Sequence, residues 1–256
     1  MIIAHLLHDL DTLKACSLTC RSWYVATVSH LHHTLSFKQD INDTARDKLR
    51  PLSALHELRL APLIKEIQVD QSLGQYAWFV PRAFNRRDLR YFSTFSNVHT
   101  LRLRNLDIPR FLPDISRYFG HFSPTLQSIT LYRPRCAPQQ LSHFLSLFPN
   151  LDDIELRSPF IIDTGPGKLA PFSSPPPGLR GRLALCDFHQ VEVLTHLVAS
   201  FGGLRFRHIN LRNAVTSAPV LLKACARTLE TLRFSVADDI YSKLFCAGLQ
   251  IQADGE

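Results

Sequence analysis

No apolar run in this 256-residue chain reaches the roughly 18–20 residues that a membrane-spanning helix requires. The opening stretch, Met1-Ile2-Ile3-Ala4-His5-Leu6-Leu7-His8-Asp9, has no basic leader, and His5, His8 and Asp9 interrupt it, which argues against a secretory signal. The expectation is an intracellular chain, cytoplasmic or nuclear, with no membrane contact. The six cysteines, Cys16, Cys20, Cys136, Cys186, Cys225 and Cys246, are scattered singly through apolar segments. Without an export signal they read as buried free thiols rather than disulfides.

Catalytic signatures are missing as well. There is no G-x-S-x-G elbow and no H-E-x-x-H pair, since His56-Glu57 runs on into Leu58-Arg59-Leu60. Gly165-Pro166-Gly167-Lys168 fails as a phosphate loop because Ile162 and Leu169 stand where Gly and Ser/Thr are needed. Cys16 and Cys20, one helical turn apart, with His30, His32 and His33 downstream, fit the spacing of no common zinc finger. The chain therefore reads as a non-enzyme with no metal and no cofactor.

What is present is a repeat. Ile67-Gln68-Val69, Leu101-Arg102-Leu103, Ile129-Thr130-Leu131, Ile154-Glu155-Leu156, Leu183-Ala184-Leu185, Ile209-Asn210-Leu211 and Leu232-Arg233-Phe234 recur at intervals of 34, 28, 25, 29, 26 and 23 residues. Val98, Leu126, Leu151, Phe206 and Leu229 precede five of them by three positions, completing L-x-x-L-x-L. Alternation within each motif is the signature of a short strand with one face in a core. Between them the period becomes helical: Ile108, Phe111, Leu112, Ile115, Phe119 and Phe122; Leu141, Phe144, Leu145 and Phe148; Leu194, Leu197, Val198 and Phe201. Pro109, Pro138 and Pro219 suit helix starts, Asp107 and Ser217 are nearby caps, and Pro113 threatens the first helix.

Strand, helix, strand, helix at this interval predicts an α/β fold: a leucine-rich-repeat solenoid, a right-handed βα horseshoe of parallel strands with about seven irregular repeats over residues 55–237. An ordinary doubly wound α/β domain is the alternative. The Pro/Gly-rich loop 158–182 excludes helix, and residues 238–256 read as an irregular tail.

Ahead of the repeats, residues 1–40 suit short amphipathic helices. The run Leu13-Lys14-Ala15-Cys16-Ser17-Leu18-Thr19-Cys20-Arg21-Ser22-Trp23 resembles the second half of an F-box, as found in fungal F-box/leucine-rich-repeat-like proteins. Leu179-Arg180-Gly181-Arg182-Leu183-Ala184-Leu185, following a proline cluster, also resembles those families. The resemblance implies a substrate receptor of an SCF-type ubiquitin ligase. Its F-box docks on the adaptor subunit and its repeats hold a protein substrate. By position, Ile3 and Leu6 match apolar residues of the first F-box helix. Leu13, Leu18, Cys20 and Trp23 match the face that packs the F-box and meets the adaptor, and Arg21 matches the basic residue between them. Thr19 replaces the family's usual Val, and the opening Leu-Pro-x-Glu is absent. The expectation is therefore an F-box truncated at its N-terminus, with adaptor docking weakened or lost.

Charge is localised. The 29 basic residues exceed the 22 acidic ones by seven, and residues 81–135 carry that whole excess, with ten arginines, three aspartates and no Lys or Glu. Phe84, Tyr91, Phe92, Phe95, Tyr118, Phe119 and Tyr132 are interleaved with them. Basic plus aromatic invites a nucleic-acid reading. The reading set against it, and favoured here, has the aromatics packing inside while the arginines stay solvated. A third has the arginines recognising an acidic or phosphorylated substrate segment.

Strand alternation selects outward positions on each strand, and from these Arg102, Arg104, Tyr132, Glu155, Arg157, Asn210 and Arg212 are expected to form the substrate surface. Three functions stay open on sequence: the ligase receptor, a leucine-rich-repeat scaffold without a ligase link, and a basic nucleic-acid-associated protein.

Overall fold

A computed structural model describes residues 9–38, 55, 59–71, 92–110, 112, 119–121, 123–161 and 179–235. Two helices come first, α1 (Leu10–Ser17) and α2 (Arg21–Leu31). Asp9 starts α1: its carboxylate accepts from the Thr12 backbone N–H at 3.0 Å and from the Thr12 hydroxyl at 2.7 Å. These hydrogen bonds hold the Asp9 carboxyl below its ordinary pKa. At the other end, the Ser17 and Thr19 hydroxyls donate to the carbonyls of Lys14 and Cys16, competing with continuation of the helix. Cys16 and Cys20 therefore do not share one helix; Cys20 stands at the N-cap of α2.

The strands follow: β1 (Thr34–Lys38), β2 (Glu66–Asp70), β3 (Thr100–Arg104), β4 (Ser128–Tyr132), the short β5 (Arg135–Cys136), β6 (Asp153–Arg157), the short β7 (Phe160–Ile161), β8 (Arg180–Cys186), β9 (Arg205–Arg212) and β10 (Thr231–Ser235). Eight of them form one sheet in the order β1-β2-β3-β4-β6-β8-β9-β10, every pair parallel; β5 and β7 make a second, two-stranded sheet. The fold is α/β with a parallel sheet whose neighbours in space follow the order of the chain. All seven expected strands are present. β1 is an eighth, and it lies inside the 1–40 segment expected to be helical. Leu35 and Phe37 are buried there and pair with Ile67 and Val69.

Helices α3 (Pro138–Ser146), α4 (Val191–Ser200) and α5 (Ala218–Cys225) cover one sheet face. Pro138 and Pro219 occupy the first turns of α3 and α5, as their positions predict. Ser217 does not cap α5: its hydroxyl is buried and donates to the Phe188 carbonyl, tying the helix start to the preceding segment. Asp107 instead pairs with Arg110 at 3.3 Å. Residues 108–110 are helical, while Phe111, residues 113–118 and Phe122 of that expected helix lie outside the described residues. So do residues 162–178 of the Pro/Gly-rich loop and the 238–256 tail.

The core is two rows of side chains running across the sheet. Ile67, Leu101, Ile129, Ile154, Leu183 and Ile209 form one, and Val69, Leu103, Leu131, Leu156, Leu185 and Leu211 the other; all are buried. Leu141, Phe144, Leu194, Leu197 and Leu221 close over them from the helices. At the β1 end Phe92 packs on Phe37 with ring centroids 6.3 Å apart and on Phe95 at 6.0 Å.

A turn recurs at the C-terminal ends of the strands. Asn105, Arg133, Ser158, Asp187 and Asn213 each follow a strand with φ between 44° and 57°. Each backbone N–H donates to the last carbonyl of the next strand: Tyr132, Arg157, Cys186, Arg212 and Ser235 in turn. The left-handed conformation aims that N–H across the ladder. Asn and Asp tolerate it best, which fits three of the five positions.

Candidate functional site

The sheet face opposite α3, α4 and α5 carries the alternate residues of every strand. Strand register lines them up in three rows. Near the C-terminal ends the row reads Lys38, Asp70, Arg104, Tyr132, Arg157, Cys186, Arg212, Ser235. The middle row reads Ser36, Gln68, Arg102, Thr130, Glu155, Ala184, Asn210, Arg233. A groove of about 410 Å³ opens here, lined by Ser36, Gln68, Val69, Asp70, Arg102, Leu103, Arg104, Thr130, Tyr132, Glu155 and Arg157.

Five of the seven expected substrate residues, Arg102, Arg104, Tyr132, Glu155 and Arg157, meet in this groove. Asn210 and Arg212 face the same side and are exposed, but they sit on β9, beyond β8, and do not line it. Ser36, Gln68 and Asp70 are groove residues absent from that set. Gln68 and Asp70 carry the same alternation in sequence, whereas Ser36 lies on β1, inside the segment expected to be helical.

The arginines are not bare. The Arg102 Nε lies 3.0 Å from Glu66 and the Arg104 guanidinium 3.4 Å from Asp70. Arg157 grips Glu155 through Nε at 2.7 Å and a terminal nitrogen at 2.6 Å. Burial opposes the Arg157 charge, yet the hydrogen bond and charge of Glu155 outweigh it and raise the arginine above its ordinary value. Thr130 donates to the other Glu155 oxygen at 3.3 Å, fixing that carboxylate. The positive patch expected around Arg102 and Arg104 is thus interleaved with carboxylates from β2. Of the main sheet, the described residues of segment 81–135 supply β3 and β4, which lie between β2 and β6.

Tyr132 is the centre of the cations. The Arg104 guanidinium carbon stands 4.8 Å from its ring centroid and that of Arg133 5.4 Å. The buried Phe92, Phe95 and Phe119 follow the expectation that most aromatics of this segment pack inside. Phe84, Tyr91 and Tyr118 are outside the described residues.

In the N-terminal hairpin, Leu13 is fully buried, Trp23 half-buried, and Leu18, Cys20 and Arg21 exposed, Leu18 at 86%. Ile3 and Leu6 lie outside the described residues. Leu13 is thus buried, while Leu18 in the turn is exposed, as are Leu10, Tyr24 and Val25.

No protein-family model matches this chain, and neither does any curated protein.

The thiols correct one expectation. Cys136 and Cys225 are buried, but Cys16 and Cys186 are only half-buried and Cys20 is exposed; all five are free. Turn and open-face positions, which the apolar pattern hides, account for Cys20 and Cys186. Burial, reinforced by the Asp107 carboxylate, pushes the Cys136 thiol up to about 12. Among the described residues no group of three or more His, Cys, Asp or Glu could hold a metal, and no helix is long and apolar enough to cross a membrane.

Proposed function

We propose that this chain is a non-catalytic substrate receptor of an SCF-type ubiquitin ligase, built as a leucine-rich-repeat horseshoe behind an F-box-like helical hairpin. The repeat reading is supported by the sequential parallel order of the strands, by intervals close to the usual 20–29 residues, and by the left-handed turn recurring after five strands. The observation that carries the receptor reading is the groove. Its walls come from five successive strands of the main sheet, chiefly from their outward-facing alternate residues, on the face that solenoids use to bind partners. The exposed Leu18, Val25 and Tyr24 beside Arg21 suit docking on an adaptor, since apolar and aromatic side chains dominate interface energetics.

Co-expression with the ligase adaptor subunit tests this. The expected result is a complex that survives size-exclusion chromatography and is lost on Leu18→Asp, with an unchanged circular dichroism spectrum. A folded chain that never retains the adaptor refutes the ligase link and leaves a repeat scaffold acting through its groove alone.

A further inference from the structure

We infer that the outward face of β8, β9 and β10 is a track for the phosphate backbone of a single nucleic-acid strand, separate from the groove. This goes beyond the receptor reading and does not depend on it.

Strand register divides the open face into two parts of different charge. The outward positions of β2, β3, β4 and β6 hold Arg102, Arg104 and Arg157 against Glu66, Asp70, Asp153 and Glu155. Those of β8, β9 and β10 hold Arg180, Arg182, Arg205, Arg207, Arg212 and Arg233, with no carboxylate among them. The groove strands carry no positive excess. The positive part of the sheet lies outside segment 81–135, where composition along the chain places it.

Few of these cations are held from within. Arg182 grips Asp153 of β6 at 2.9 and 2.5 Å, and the Arg207 Nε stands 3.8 Å from Glu230. Arg180, Arg205, Arg212 and Arg233 are exposed and have no ion pair among the described residues. The backbone concentrates them further. Strands β8 and β9 run past the five-residue strands beside them, and register sets Arg180 opposite Arg205. Like charges facing each other on neighbouring strands destabilise a sheet. At the bulge Arg207 and His208 are both exposed, which brings one more cation to this face. No carboxylate among the outward residues of these strands offsets the repulsion; a bound anion relieves it.

Geometry favours a line of phosphates over one anion. Alternate residues of a strand are about 6.6 Å apart, and β9 presents Arg205, Arg207 and Arg212 over roughly 23 Å. Arg180 on β8 and Arg233 on β10 flank that line. The arginine fork matches phosphate oxygens two at a time, and such backbone contacts position a strand without reading its bases. No Phe, Tyr or Trp occupies an outward position of β8, β9 or β10. Bases therefore find no stacking platform here, and binding is independent of sequence.

Fluorescence anisotropy on the full chain tests this, with a labelled oligouridylate and a labelled polyglutamate of equal length, each followed across salt. Four unpaired arginines predict a slope of log affinity against log salt of about −3, at about −0.7 for each phosphate contact on a single strand. Joint Arg180→Gln and Arg205→Gln substitution should flatten that slope by about 1.4 and weaken binding at low salt. Arg104→Gln, in the groove, leaves both unchanged. The double variant should be at least as heat-stable as wild type, because the facing charges are gone. Should it misfold, Arg212→Gln with Arg233→Gln, farther along the track, carries the same expectation. Absence of oligouridylate binding at low salt overturns the proposal, as does tighter binding of polyglutamate. Equal losses from Arg104→Gln and from the double variant overturn it too. Adaptor retention is measured separately, and neither result bears on it.

Discussion

Of Gly181, Gly202 and Gly203, Gly181 is the one where an added methyl group meets the backbone. Its φ is +83°, and a Cβ built there falls 2.0 Å from the backbone oxygen of Asp152 and 2.3 Å from that residue's Oδ1. The Asp152 oxygen cannot move freely, because the Arg182 N–H donates to it at 2.7 Å. The site is also a bulge: Gly181 pairs with Phe206 and Arg182 with His208, leaving Arg207 as the extra residue. Gly181→Ala therefore costs the left-handed penalty, roughly 1–2 kcal/mol. Pushing the Asp152 backbone aside adds about 1–3 kcal/mol, the usual cost of a backbone shift forced by an extra methyl group in a packed site. The total is ~3 kcal/mol or more, about 6–12 °C in Tm for a chain of this size. Gly202 is the internal control. Its φ is +63° and nothing lies within 4 Å of its added Cβ, so Gly202→Ala carries only the conformational cost of about 1–2 kcal/mol. Urea unfolding followed by circular dichroism measures both. If Gly181→Ala is no more destabilising than Gly202→Ala, the account of the β8–β9 bulge is wrong.

Two further outcomes follow from burial. Phe144 is fully buried and packs edge-on against Phe148 at 5.5 Å; Phe144→Ala should lose about 3–5 kcal/mol in urea unfolding, while Phe160→Ala, at an exposed position, should stay within about 0.5 kcal/mol of wild type. Cys136 makes stability sensitive to alkali. Its folded-state thiol titrates near 12 against an ordinary value of 9.0, so the unfolded chain releases a proton first. Its contribution is complete below pH 9 and is lost as pH rises from there towards 12. Wild type should lose about 2 kcal/mol relative to Cys136→Ala between pH 8 and about pH 10.5; parallel pH profiles of the two proteins would rule this out.

The amino-acid sequence determined the strands and their facing. Period-2 alternation in a segment such as Ile129-Thr130-Leu131 is a local property: a strand with one buried side leaves no other register, because a one-residue slip would turn Ile129 and Leu131 into solvent. Five groove residues were legible for that reason. Leu35-Ser36-Phe37 has the same alternation, but it lies inside residues 1–40, whose apolar spacing up to Trp23 suits helices. Ser217 looked like a cap by spacing, yet its hydroxyl goes to Phe188, 29 positions earlier. Tertiary structure alone decided the electrostatics of the groove. Counted along the chain, Arg102 and Arg104 belong to a segment with seven excess positive charges. In the sheet their neighbours are Glu66 and Asp70, more than 30 positions away. Charges interact through space at a few ångströms, and parallel pairing brings together residues a whole repeat apart. Patterning along the chain could therefore show that the arginines face outward, but not that carboxylates hold them.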